Sequence, residues 1–358
     1  MLLIVNAGSS SLKLKVFDGA EEVAKASVER IAAGGHRVAL EQGLAEAGVP
    51  VTRLHAAAHR VVHGGAGLTA TCRITPAVLA GIEACVPLAP LHNPANLVGI
   101  QAVAELAPNL PQYACFDTAF HATNPKVATD YALPCEERQR GLRRYGFHGT
   151  SYAALVRILS ARGALPERLL ACHLGNGASL CAIVNGRSVA TTMGYSPLDG
   201  LTMGTRSGAI DGNAVLRLAE LHGVARAGEI LNRESGLLAL GGSNDLRALH
   251  RAGTTEAAFA LEHFAYWAVR HAGSMVAAMG GLDAVVFTGG IGENDHWVRG
   301  NILRGLRFMG VEVDEPANRQ NASELHDTAS RVAIWIVPAD EERQIALEAQ
   351  VVIAGEGA

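Results

Sequence analysis

The chain opens Met1-Leu2-Leu3-Ile4-Val5-Asn6-Ala7-Gly8-Ser9-Ser10-Ser11-Leu12-Lys13-Leu14-Lys15-Val16-Phe17, and the reading of this stretch decides the fold. Residues 2–5 form a short apolar run suited to one buried strand. Leu12, Leu14 and Val16 alternate with Lys13, Lys15 and Phe17, the period of a second strand. The polar stretch 6–11 is the turn between them. A phosphate group asks for such a tip: small residues let backbone N–H groups approach, hydroxyls donate, and a lysine supplies charge. Glycine and serine are also ordinary at a hairpin tip, so the loop alone leaves both readings open.

Further along, the design recurs. Residues 169–172 read as a strand, Gly175-Asn176-Gly177 as a turn and 180–184 as a return strand. We read this as a structural duplication in which each half offers one phosphate-facing hairpin; Asn176-Gly177 would equally make a plain type I′ turn. Residues 56–63 are a strand ended by Gly64-Gly65, and 113–116 a strand running into Asp117. Residues 284–287 lead into Thr288-Gly289-Gly290-Ile291-Gly292, and 333–337 form a late strand. Thr75 before Pro76 and Asn93 before Pro94 each read as an N-cap followed by proline at the first helical position. Further helices are expected over 151–162, over 255–279 with Gly280-Gly281 as its close, and from about Asp340 to the end. Strands alternate with helices throughout, which is the α/β class.

Bulk properties narrow the function. A chain of 358 residues exceeds one ordinary core, so two lobes are expected. A formal charge of −4 carries no basic bias and argues against nucleic acid as a partner. The cysteines at 72, 85, 115, 135, 172 and 181 show no C-x-x-C spacing and read as small buried hydrophobes in a reducing compartment. The apolar start is too short for a signal peptide and no apolar run approaches ~20 residues, so a cytoplasmic protein with no membrane association is expected. Neither 173–179 nor 289–292 completes G-x-G-x-x-G, and no G-x-x-x-x-G-K-[ST] is present, so the Rossmann and P-loop fingerprints are missing.

Several residues beside glycines could handle an anion. Arg60 and Val62 share a face of the strand 56–63, Arg206 lies in the flexible small-residue loop Met203-Gly204-Thr205-Arg206-Ser207-Gly208, and His148 stands at a helix start. An arginine so placed is costly unless paired or solvated; a structural salt bridge would satisfy it as well as an anion. His59 and His63 would suit a metal only on a helix. Asp117 and Glu341 each follow a strand end, where acidic residues serve Mg²⁺ through water, although such positions also cap helices. The basic stretch 138–144 reads as solvated surface.

These segments, in this order, resemble the acetate kinase family. The matching stretches are 6–13, 59–65, 88–94, 116–121, 145–151, 173–179, 193–207, 243–247 and 287–294, nearly the whole chain. That family belongs with the sugar kinases, the heat-shock chaperone ATPases and actin. The resemblance implies two duplicated ribonuclease-H-like lobes with a nucleotide cleft between them. Residues 1–119 plus 340–358 would make the lobe with the first phosphate loop and the C-terminal helix, and 120–339 the nucleotide-binding lobe. It further implies that Asn6, Arg60, Asp117, His148 and Arg206 are catalytic, and that Asn6, Asp117 and Glu341 lie at Mg²⁺, for which Mn²⁺ could substitute. Ser9, Ser11 and Lys13 match the first phosphate loop, and His173, Gly175, Asn176 and Gly177 the second. Asp245, Leu246, Arg247, Gly290, Ile291, Gly292 and Asn294 fall where adenosine is held. Arg60, Val62, Leu91, Phe147 and Pro197 would form the acyl pocket.

The implied reaction is reversible transfer of phosphoryl from ATP to acetate, giving ADP and acetyl phosphate, usually in a homodimer. Acetate is ionised at neutral pH, so no general base is needed and direct in-line transfer is expected. Propionate or butyrate kinases of the same family, and a non-catalytic actin-like ATPase, are the alternatives. The chain departs from the family in a shortened stretch 17–59, in Ala209 and Gly212 where Asp and Pro are usual, and in Ala339-Asp340 before Glu341.

Overall fold

A computed structural model describes residues 1–32 and 34–356. The chain divides into two compact units. One comprises Met1–Ala122, Phe147–Ala154 and the segment from Asp340 onward; the other comprises Thr123–Gly146 and Leu155–Ala339.

The first unit is built on β1 (Leu2–Ala7), β2 (Ser11–Asp18), β3 (Glu21–Glu29), β4 (Ala56–Val61), β5 (Cys72–Arg73) and β6 (Gln112–Phe116), in sheet order β3-β2-β1-β4-β6-β5. β1, β2 and β3 form an antiparallel meander, and β4 and β6 run parallel to β1. Leu3 and Val5 face one side, against helices His36–Glu46 and Asn93–Leu106; Leu2 and Ile4 face the other, against Ile345, Ala346 and Ala349 of helix Glu341–Glu356. Burial on both faces is why β1 is an unbroken apolar run instead of an alternating one.

The second unit repeats the plan. β7 (Arg168–Leu174), β8 (Ala178–Val184) and β9 (Arg187–Thr191) form a meander, and β10 (Ala284–Thr288) and β11 (Ala333–Ile336) lie parallel to β7 in the order β11-β10-β7-β8-β9. Apart from β5, the two sheets share one strand order and one set of directions, so the recurrence first seen in the hairpins extends to both sheets. Helix Thr255–Met279 packs on β8 and β9 and ends in left-handed Gly280 at φ 71°.

Three expectations need correction. Thr75 caps its helix by accepting from Val78 N, but Asn93 does not cap: its Oδ1 accepts from His63 N at 3.1 Å and its Nδ2 donates to His63 O and Ile82 O. The demand of a strand end for partners outweighs the demand of the helix start. Cys135 is exposed, unlike the buried Cys85, Cys115, Cys172 and Cys181. In the basic stretch, Arg144 is not simply solvated: it donates to Thr192 O, Met193 O and Asp199, and its guanidinium lies over Tyr131.

Candidate active site

In the first unit, the chemistry gathers at the carboxyl ends of β1, β4 and β6. Asn6, Arg60 and Asp117 sit at or just past those ends. Arg60 donates from Nε to Asp117 Oδ1 at 3.0 Å, from Nη2 to Oδ2 at 2.5 Å, and from Nη1 to Asn6 Oδ1 at 3.5 Å; Glu341 Oε2 lies 3.8 Å from its Nε. Asp117 is 1% exposed and also accepts from Thr150 Oγ1 at 3.1 Å. Burial alone would lower the Arg60 pKa, but Asp117 and Glu341 more than offset it and hold the guanidinium above its ordinary value. The Glu341 carboxyl is pushed up to about 7, first by burial, with Asp117 and Glu342 adding and Arg60 opposing.

His148 takes a left-handed backbone at φ 58°, a conformation costly for a non-glycine residue. The cause is next to it. Gly149 N donates to Asp117 O at 2.8 Å, and a Cβ at Gly149 would stand 2.2 Å from that oxygen. The start of helix Gly149–Ala161 is thus seated directly on Asp117, and His148 turns to allow it. Phe147 is buried, meets His63 edge-on at 5.4 Å, and accepts from His121 Nε2 through its carbonyl.

A cavity of about 230 Å³ opens among Asn6, Gly8, Ser11, Lys13, Arg60, Val62 and Leu91, with His92 and Asn96 completing it. It joins part of the expected phosphate loop to part of the expected acyl pocket; Ser9 points to solvent at the tip. Asn96 and His92 were not foreseen. Asn96 accepts from Val62 N and donates to Ala7 O, tying the ends of β4 and β1 together. The sequence signal was Asn93 and Asn96 in the first turn of a helix, too polar for a face that meets a sheet. His59 and His63 share no ligand: His59 bonds Gln112 Oε1, and His63 Nδ1 accepts from Gly65 N.

In the second unit, a larger cavity of about 870 Å³ is lined by Gly175, Asn176, Leu246, Arg247, Gly290, Ile291 and Asn294, all expected, and by His250, Asp295, His296 and Trp297, which were not. His250 bonds Asp295 Oδ2 at 2.9 Å and meets Trp297 edge-on at 5.7 Å. Asp245 caps helix Leu246–Ala252, accepting from Arg247 N, and pairs with the Arg247 guanidinium at 2.9 Å. Gly290 O accepts from Asn294 Nδ2. His173, next to last in β7, pairs with Ser179, and Gly175 N donates to Gly177 O across the tip; Gly292 is buried.

Arg206 does not lie in a flexible loop. Gly204 N bonds Asn176 O, Ser207 N bonds Leu231 O, and Leu237 N bonds Met203 O; a Cβ at Gly204 would stand 2.0 Å from Asn176 Oδ1, and Gly236 at φ 66° leaves no room beside Met203 O. Small residues here serve close packing, not mobility. Arg206 Nη1 donates to Pro197 O at 3.0 Å and approaches Met203 Sδ, and among the described residues no carboxylate pairs with it. Burial lowers its pKa, with no anion to oppose the shift. A desolvated, uncompensated guanidinium is a ready anion site. Pro197 belongs to this group; Val62 and Leu91 belong to the first-unit cavity.

The chain is similar to known proteins over nearly its whole length. Residues 44–347 match the Acetokinase family. An acetate kinase of Deinococcus radiodurans is 43% identical over 398 positions, covering 99% of this chain and 98% of that one. One of Methylocella silvestris is 45% identical over 325 residues, covering 89% of this chain and 80% of its own. The crystal structure of Porphyromonas gingivalis acetate kinase gives a TM-score of 0.88 at 36% identity over 98% of this chain and 99% of that one. A propionate kinase from Francisella tularensis gives 0.91 at 34% over 97% and 98%. With similarity running from end to end, the chain belongs to the acetokinase family.

Proposed function

We propose that the chain transfers the terminal phosphoryl of ATP reversibly to acetate, giving acetyl phosphate and ADP. The observation that carries this reading is the first-unit cavity, where Arg60, Lys13 and Asn6 face Val62 and Leu91. It has about the volume of eight waters, room for a short carboxylate together with a phosphoryl group. The cations answer the repulsion between a carboxylate and a phosphoryl group, and Val62 and Leu91 receive the methyl. An acetate oxygen forms the new P–O bond as the bond to the ADP oxygen breaks and its electron pair leaves with ADP. No proton moves, so Asp117 orients Arg60 and need not act as a base. Arg206 is assigned to the transferred phosphoryl, and the second-unit cavity to adenosine.

Asn6, Asp117 and Glu341 would hold Mg²⁺ or Mn²⁺. The fit rests on the donor set: the Asn6 amide oxygen and the Asp117 and Glu341 carboxylates gather around Arg60, oxygen donors of the kind a hard cation takes. Among the described residues no three His, Cys, Asp or Glu side chains cluster as a metal cage, as suits a cation carried largely by nucleotide phosphates and water. When bound, the cation neutralises phosphate charge. We also propose a homodimer, on the family resemblance alone; sedimentation velocity tests it. No helix among the described residues is long and apolar enough to cross a membrane.

The second reading, preference for propionate, is favoured by the likeness to the propionate kinase fold. The test is ATP with acetate, propionate or butyrate, trapping each acyl phosphate as its hydroxamate. Highest kcat/KM with acetate supports the proposal. Hydrolysis of ATP with no hydroxamate from any acid would reject it in favour of an actin-like ATPase.

A further inference from the structure

At the end of the connection past β3 a histidine stands behind the first phosphate loop. His36 opens helix His36–Glu46, is 4% exposed, and bonds Gly8 O through Nε2 at 2.8 Å. A carbonyl only accepts, so Nε2 carries the proton and donates. Nδ1 is buried with no hydrogen-bond partner, so the ring's polar contact is with the loop. The helix is firmly seated: Ala39, Leu40 and Leu44 share a core with Leu12 and Leu14, and Gly43 allows the close approach, since a Cβ there would lie 2.7 Å from Leu14.

A second bond comes from the same connection, where Ile31 N donates to Ser10 O at 2.9 Å. Each peptide is planar and trans, so its N–H points opposite to its C=O. With the Gly8 and Ser10 carbonyls held from behind, the amides of Ser9 and Ser11 are turned the other way. Ser9 and Ser10 are exposed, so side-chain packing does not hold the tip.

We propose that His36 is a positioning residue which, by holding the Gly8 carbonyl, presets the loop amides for the phosphates of ATP. This deepens the kinase reading and rests on it. Donors fixed before the ligand arrives cost no ordering on binding, which is where preorganisation gains affinity.

The test is calorimetric titration of ATP and of adenosine into the wild type, His36→Leu and His36→Gln, with thermal melts of each. His36→Leu removes the donor, and ATP should bind about five- to tenfold more weakly, the scale of one net hydrogen bond. Adenosine, which has no phosphate, should bind all three proteins equally. His36→Gln should restore ATP affinity, since its amide nitrogen stands the same number of bonds from Cβ. In turnover, His36→Leu should raise the KM for ATP and leave that for acetate unchanged. The proposal is overturned if His36→Leu binds ATP like the wild type, if His36→Gln is as weak as His36→Leu, or if adenosine affinity falls in parallel. A wild type that binds ATP but forms no acyl phosphate rejects the kinase reading, while the titrations still decide the role of His36. A wild type that binds no ATP rejects both.

Discussion

Arg60 grips Asp117 with two parallel hydrogen bonds, Nε to Oδ1 at 3.0 Å and Nη2 to Oδ2 at 2.5 Å. Both side chains are largely withdrawn from water, with exposures of 21% and 1%. Removing one partner strands the other. Asp117→Ala should therefore lower unfolding free energy by about 3 kcal/mol, and the double variant Arg60→Ala/Asp117→Ala by less than the sum of the singles. Denaturant unfolding of the four proteins checks it; additive losses would mean the pair is not coupled.

Glu341 gives a pH signature. Its folded carboxyl titrates at about 7, whereas an unfolded glutamate titrates near ~4.3. Between these values the folded chain binds a proton that the unfolded chain has released. This contribution is complete below the unfolded value and is lost as pH rises toward 7, after which stability levels off. Glu341→Gln should be more stable than the wild type at pH 8, by at most about 4 kcal/mol, and equal to it near pH 4. Urea unfolding at both pH values measures the difference; equal gains at both would remove Glu341 as the cause.

Arg206 sets function against stability. Its guanidinium is half-buried and rests on a carbonyl and a thioether, with no carboxylate partner among the described residues. Arg206→Met should cut kcat by roughly 10²–10³, as for other charge-stabilising donors, while the melting temperature stays level or rises. A variant with near-normal kcat would take Arg206 out of the reaction.

Val62 lines the first-unit cavity beside Leu91. Val62→Ala should move the kcat/KM ratio toward propionate by roughly tenfold, since one methylene is worth ~1–3 kcal/mol in an apolar pocket. Unchanged ratios would place the acyl group elsewhere.

Much of this site was legible because strand ends announce themselves. Apolar runs stopping at Asn6, at Gly64-Gly65 and at Asp117 mark where backbone leaves a sheet. What sequence reasoning missed was held by long-range partners. Asn93 looks like a helix cap until His63, thirty positions earlier, claims its amide. Glycines and serines around Arg206 look mobile until Asn176 and Gly236 fill the space beside them. His36 and Trp297 carry no local motif, and only the packing of their helices brings them to a loop or a cavity.

The one exposed cysteine gives the protein a built-in handle. Cys135 stands at the surface of the second unit, whereas burial raises the thiol pKa of Cys85, Cys115, Cys172 and Cys181, and half-buried Cys72 is raised in the same way. A maleimide dye at neutral pH should therefore attach first at Cys135, with no engineered residue. The second unit can carry a single fluorescent label on its native sequence.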